Sequence, residues 1–301
     1  MGRLPAHGPR AHPYFALPDQ WLDITEPELY VAPLRVRYKL AGTGPPLLLV
    51  HGLQTTSFSW RYVIDALARD FTVVVPDVVG CGLTSHPADF GYTAEHVGDF
   101  LAAFMRGAAE QLDLPPRAAW NVAGNSLGGL YVSALAARHP DLVRSLVVIH
   151  APGFVRRASR LGVELLRRGL APPAVAHLFG PWLVRRYLAY HDPSIRSEEE
   201  IAEFSLAFAD LEGRRAFFRI IREGLGPAQA GQLPGLLSRI AAPTLLIWAR
   251  NDTLIPPATG DRWHQALPGS RLVWLDESSH FTQVDQPERT VELIRSFAQE
   301  P

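Results

Sequence analysis

The stretch Val122-Ala123-Gly124-Asn125-Ser126-Leu127-Gly128-Gly129 narrows the folds open to this chain more than any other. It sets one serine between glycines where an extended apolar run, Ala118 to Ala123, gives way to apolar residues at helical spacing, Leu130, Val132, Leu135 and Ala136. A strand that passes straight into a helix needs a sharp bend, and Ser126 falls on it. The bend forces its central residue into a sparsely populated backbone conformation. Gly124 and Gly128 follow from the same geometry, because side chains there would collide with the neighbouring strand or helix. The Ser126 hydroxyl is thereby lifted above a sheet edge.

A serine hydroxyl is a weak nucleophile at neutral pH. A site built on Ser126 therefore requires a histidine to take its proton, a carboxylate to orient that histidine, and N–H donors for the charge that develops on the attacked oxygen. Downstream, Ala242 to Asp252 reads as a buried strand ending in an acid, which puts Asp252 at the sheet's carboxyl edge. A helical stretch around Trp263 to Leu267 and a strand Arg271 to Leu275 then lead to Asp276-Glu277-Ser278-Ser279-His280-Phe281, with His280 in the loop after the strand. Val291, Leu293, Ile294 and Phe297 form the apolar stripe of a closing helix. Upstream, the apolar strand Pro45 to Val50 runs into His51-Gly52-Leu53-Gln54, a loop expected to face Ser126. The expected catalytic residues are Ser126, Asp252 and His280. The expected oxyanion donors are the backbone N–H groups of Leu53 and Leu127, with Gly52 permitting close approach. His51 is read as a structural hydrogen-bonding residue of its loop. Asp77 ends the strand Phe71 to Asp77 ahead of Gly80 and Gly82, and is read as a turn-stabilising residue.

Strands and helices alternate along most of the chain, the sign of an α/β fold with a mostly parallel sheet and helices on both faces. Leu34 to Leu40 reads as an outer strand and Val143 to His150 as another; Trp60 to Ala68 and Thr93 to Leu112 read as helices, the second capped by Thr93. Residues 1–20 are rich in Pro, His and Gly and read as an irregular arm. Between Gly153 and Ile240 the strand rhythm stops, and Arg, Leu and aromatic residues recur at helical periods. The expected organisation is thus a first core part over 1–152, a helical cap over 153–240 lying on the carboxyl edge where open α/β sheets bind ligands, and a second core part over 241–301. Stripes such as Leu161, Leu165 and Leu166, then Phe179, Trp182, Leu183, Tyr187 and Tyr190, then Phe204, Phe208, Phe217 and Phe218, read mostly as cap core. The pairs Arg156-Arg157, Arg167-Arg168 and Arg185-Arg186 read as solvated faces.

A chain of 301 residues, 47% hydrophobic, can bury one large core with an inserted subdomain. A net charge of -1 offers no basic field to recruit nucleic acid. The lone Cys81 rules out an internal disulfide, and without a Cys/His cluster at ligand spacing no metal site is expected. The first ten residues lack the apolar core of a signal peptide, and no run approaches the ~20 apolar residues that span a bilayer, so the expected location is cytoplasmic.

Taken together, His51-Gly52, the turn Gly124 to Gly128, Asp252 and His280 resemble, in order, the landmarks of the α/β-hydrolase superfamily, from about Val36 to the C-terminus. The resemblance implies that superfamily's mostly parallel, eight-stranded-type sheet with an inserted helical cap. The segment His51 to Trp60 is similar to the loop of haloalkane dehalogenases and epoxide hydrolases, relatives that use an aspartate nucleophile where this chain has Ser126. The form Gly-Asn-Ser-Leu-Gly-Gly instead resembles serine esterases and meta-cleavage-product carbon–carbon hydrolases. The latter typically carry tryptophan after the base, where this chain has Phe281. The implied function is hydrolysis of carboxylic esters of small, largely apolar molecules through an acyl-serine intermediate, without a cofactor. A carbon–carbon hydrolase, a cofactor-free perhydrolase and a ligand receptor on a hydrolase scaffold use the same residues and stay open. The expected substrate-binding residues are Gln54, His150, Trp182 and Phe281. The expected partner is a small-molecule ester, not nucleic acid, and assembly as a homodimer is left open.

Overall fold

Runs such as Leu47-Leu48-Leu49-Val50, Val73-Val74-Val75 and Leu146-Val147-Val148-Ile149 carry no polar alternation, so they suit strands covered on both faces. The computed structural model, which describes residues 12–25, 33–115, 118–154, 182, 184–225 and 227–300, arranges them in that way. Its strands are β1 (Gln20–Ile24), β2 (Leu34–Ala41), β3 (Pro46–Val50), β4 (Thr72–Pro76), β5 (Trp120–Asn125), β6 (Val143–Ile149), β7 (Thr244–Ala249) and β8 (Arg271–Leu275). They form one sheet in the order β1-β2-β4-β3-β5-β6-β7-β8. β2 is antiparallel to both β1 and β4, and the remaining neighbours are parallel. Every residue of β3, β4, β5 and β7 is buried.

That order locates a crevice. β3 connects outward to β4, whereas its neighbour β5 connects the opposite way to β6. The chain segments leaving the carboxyl ends of β3 and β5 therefore part between these two strands, and open α/β sheets bind their ligands at such a switch point. The segments concerned are His51 to Gln54 and the turn at Ser126.

Two local expectations are revised. β2 is not the outer strand, because β1 pairs Gln20 to Ile24 against Tyr38 to Leu34 and covers it. Five residues that include Asp23 are too short a run to announce a strand by periodicity, so the arm expected over 1–20 reaches into an edge strand. Trp60 to Ala68 is not one helix. Thr56 caps a 3₁₀ turn at Ser57–Trp60, its hydroxyl accepting from the Phe58 N–H at 3.2 Å, and a single helical turn follows at Ile64–Leu67. The helix Ala94–Gln111 does begin at Thr93, whose hydroxyl accepts from the His96 N–H.

Between β6 and β7 the described residues include the helices Glu198–Phe204, Leu211–Gly224 and Pro227–Leu237, and no strand. Phe204, Phe208 and Phe217 are buried in the same cluster as Phe58, Trp60 and Ile149 of the core, with Phe204 edge-on to Phe58 at 6.2 Å. Tyr187 is exposed, as is Arg185, which pairs with Glu198. The Leu161, Leu165 and Leu166 stripe, Phe179, Leu183 and the first two arginine pairs lie outside the described residues. No described helix is long and apolar enough to cross a membrane.

Candidate active site

Ser126 has φ 56° and ψ -125°, a conformation that residues with a Cβ rarely adopt. The turn is fixed by its own backbone: the Ser126 N–H donates to Ile149 O at 2.7 Å, and Ser126 O accepts from Gly129 at 2.9 Å and Leu130 at 3.3 Å. A Cβ added at Gly124 would lie 2.4 Å from Gly128 O, and one at Gly128 would lie 2.4 Å from both Val50 O and His51 O. The elbow, the helix behind it and the end of β3 are thus in backbone contact. Gly52 lies directly beside the serine, since a Cβ there would be 2.9 Å from Ser126 Cβ and 3.5 Å from its Oγ. The Leu127 N–H opens the helix Leu127–Arg138, and neither it nor the Leu53 N–H donates to a described residue.

Asp252 follows β7 and His280 follows β8. The His280 Nδ1 lies 2.8 Å from Asp252 Oδ2. A nitrogen lone pair that close to a carboxylate would be repelled, so Nδ1 carries the hydrogen, and Nε2 is the atom left to exchange a proton with a substrate or nucleophile. Asp252 Oδ1 accepts from the backbone N–H groups of Leu254 at 2.7 Å and Ile255 at 2.9 Å. Burial pushes this carboxyl's pKa up, but the His280 and His150 imidazoles beside it outweigh that and hold it well below the usual carboxylate range.

The elbow and the histidine loop are tied together. Asn125, the residue before Ser126, donates from Nδ2 to His280 O at 3.0 Å and accepts from Gln283 Nε2 at 3.3 Å. On its other side the loop is held by the segment ahead of the Glu198–Phe204 helix: the His280 N–H donates to Ala189 O at 3.2 Å. The buried Asp285 carboxylate accepts from the Ser279 N–H at 2.7 Å and the His191 N–H at 3.0 Å.

His51 has no free nitrogen for proton transfer. Its Nε2 accepts from the Val78 N–H at 2.9 Å, which leaves Nδ1 to donate to Gly52 O at 2.9 Å. Asp77 supports the same loop. Its wholly buried carboxylate accepts from Ser57 N at 2.8 Å, Ser57 Oγ at 2.7 Å and Leu83 N at 3.2 Å, and it pairs with Arg37 at 3.2 Å. Arg37 also meets Glu203 at 3.0 Å and Asp19 at 2.8 Å. Sequence reasoning found Asp77 but missed Arg37 and Glu203. A single arginine in a strand taken as outermost reads as facing water, and nothing in the sequence links it to partners 40 and 166 residues away.

The four expected substrate-binding residues separate. Gln54, with φ 59°, is buried and its Nε2 has no partner among the described residues. It borders a cavity of about 10 Å³, room for one water, together with Leu53, Thr55, Phe204, Phe208 and Phe217. Phe281 is buried and stands edge-on to His280 at 5.2 Å and to Tyr190 at 5.3 Å. Trp182 is 62% exposed and joins neither. The His150 ring is wholly buried, with Nδ1 2.8 Å from Asp252 Oδ2, beside the carboxylate. The donor atoms of His150, Asp252 and His280 all lie within 4.8 Å of one another, a cluster able to hold a metal ion. Sequence spacing cannot reveal it, because each residue follows a different strand. The 2.8 Å contacts at Oδ2 have the length of hydrogen bonds, not of two ligands sharing an ion.

Residues 45–287 match the alpha/beta hydrolase fold family, and the chain belongs to it. It is 29% identical over 270 residues to haloalkane dehalogenase 2 of Mycobacterium tuberculosis, covering 86% of this chain and 90% of that one. It is 27% identical over 265 residues to the pimeloyl-[acyl-carrier protein] methyl ester esterase of Aeromonas hydrophila, covering 85% and 96%. Its fold is similar to that of a thermophilic esterase from Thermogutta terrifontis, with a TM-score of 0.74 and 23% identity over 93% of this chain and 98% of the other. Family and relatives support a hydrolase.

Proposed function

We propose that the protein is a serine esterase acting on small, largely apolar carboxylic esters. The observation that carries this reading is the strained Ser126 whose neighbour, Asn125, is hydrogen-bonded to the backbone of a histidine already paired with a buried carboxylate. In the proposed reaction His280 Nε2 takes the Ser126 proton as Oγ attacks the ester carbonyl. The Leu53 and Leu127 N–H groups hold the oxyanion, and Asp252 balances the imidazolium. The carbonyl re-forms, the C–O bond to the alcohol breaks, and His280 returns the proton to the leaving oxygen. Water, deprotonated by the same histidine, then releases the acid and regenerates Ser126.

The likeness to a dehalogenase does not carry that chemistry across. A carboxylate nucleophile leaves an ester that water can hydrolyse, whereas an alcohol attacking an alkyl halide leaves an ether that the same histidine cannot open. Ser126 suits acyl transfer, and the esterase-named relative supports it. Gln54 and Phe281 are proposed to line the substrate site, the first with a spare amide donor and the second with an apolar face beside His280.

The test is hydrolysis of short p-nitrophenyl esters by wild type and Ser126→Ala. Loss of roughly 10⁴-fold or more in turnover is expected. Retention of more than about a tenth of the activity refutes the assignment, because removal of any member of such a triad costs far more.

A further inference from the structure

Asp252 Oδ2 is shared. His280 Nδ1 and His150 Nδ1 each lie 2.8 Å from that one oxygen, and the two rings are 5.5 Å apart. We propose that His150 is a positioning residue for the carboxylate, its Nδ1 edge set 2.8 Å against Asp252 Oδ2 and so fixing the oxygen on which His280 depends. The proposal rests on the esterase reading for its catalytic consequence and on geometry alone for the contact.

Three observations support it. His150 has φ 50°, the left-handed region that a side-chain-bearing residue enters at a cost, and its N–H is bonded to Ile247 O at 3.2 Å. This backbone places the ring at the end of β6 beside Asp252 in the loop after β7. Next, the ring is wholly buried against Trp248, at 5.8 Å, so it is held in place by packing. Finally, a lone pair on Nδ1 cannot face a carboxylate at 2.8 Å, so the hydrogen is on Nδ1. Burial favours the neutral ring. Asp252 is then an anion beside a neutral His150 ring.

The two contacts differ. That of His280 is a well-aligned hydrogen bond, while that of His150 is equally short but off the line of its N–H. The stronger bond is thereby kept for the base, and His150 acts as a lateral stop. Together with the Leu254 and Ile255 N–H groups on Oδ1, it restrains the carboxylate while charge develops on His280.

His150→Ala removes the donor. His150→Asn keeps an N–H at nearly the Nδ1 position, and asparagine tolerates positive φ. Turnover is measured per active site titrated with a fluorophosphonate, so that loss of folded protein does not count. His150→Ala is expected to lose about tenfold in kcat, the scale of one hydrogen bond to a charged group, with KM unchanged. His150→Asn is expected to recover most of it. Unchanged kcat per site in His150→Ala, or equal impairment in both variants, overturns the proposal.

Proton spectra of protein labelled with ¹⁵N-histidine give a readout that needs no turnover. Wild type should show two Nδ1 protons protected from exchange with water, that of His280 the further downfield, and His150→Ala one. A single such proton in wild type overturns the proposal even if esterase activity is found. Two protons without hydrolysis keep the shared carboxylate and sink the esterase reading instead.

Discussion

Gly128→Ala tests whether the crevice depends on backbone contact. The added methyl would sit 2.4 Å from Val50 O and His51 O, both main-chain atoms that no rotamer change can move. Restoring ordinary van der Waals contact requires the end of β3 to retreat from the elbow helix by about 1 Å. Forcing a methyl into packed backbone costs ~1–3 kcal/mol, against which alanine's better helix propensity returns up to ~1 kcal/mol, so a net loss of about 1–2 kcal/mol is expected. Activity should suffer more. Leu53 follows His51 closely and moves with it, and a misplacement of ~1 Å at an oxyanion donor costs on the order of 10²-fold. Urea unfolding gives the first quantity, and kcat/KM on an activated ester, per titrated active site, gives the second. Gly231→Ala is the control: it lies in the helix Pro227–Leu237, nothing among the described residues stands within 4 Å of its added methyl, and it should gain about 0.5–1 kcal/mol without affecting activity. If Gly128→Ala matches wild type in both measurements, the close approach of β3 and elbow does not govern the site.

Asp77→Ala should cost ~3–5 kcal/mol in urea unfolding, because it strips four polar contacts and leaves the Arg37 charge buried with weaker compensation; a loss under about 1 kcal/mol contradicts that. Asp252 gives a pH signature. Its folded carboxyl titrates below the unfolded one, so the stability it contributes is complete above about pH 4 and is lost as pH falls toward the lower folded value. Wild type should therefore lose stability more steeply than Asp252→Asn between roughly pH 5 and 3, and parallel curves contradict the pairing.

Much of this molecule is legible in its sequence wherever sterics leave one solution. Ser126 between Gly124 and Gly128 is such a place, since contacts at 2.4 Å penalise any residue with a Cβ there. Asp252 and His280 are legible because each terminates a strand of known direction, which determines the edge of the sheet it reaches. His150 terminates a strand too, and the same logic correctly brought it to that edge. Its contact with a buried carboxylate was not legible, because that depends on a φ of 50° and on β7 as a neighbour, neither of which a local pattern encodes. The Arg37, Asp77 and Glu203 cluster was hidden for a related reason, because it joins residues from β2, the end of β4 and a helix near Phe204. Edge strand β1 was hidden by brevity.

The central claim is that Ser126 is the atom-bearing partner in acyl transfer. Peptide mapping by mass spectrometry after fluorophosphonate treatment tests it most directly. One adduct per chain is expected, on the peptide containing Ser126, abolished in Ser126→Ala and slowed in His280→Ala. An adduct on a different residue, or none while esters are still hydrolysed, contradicts it.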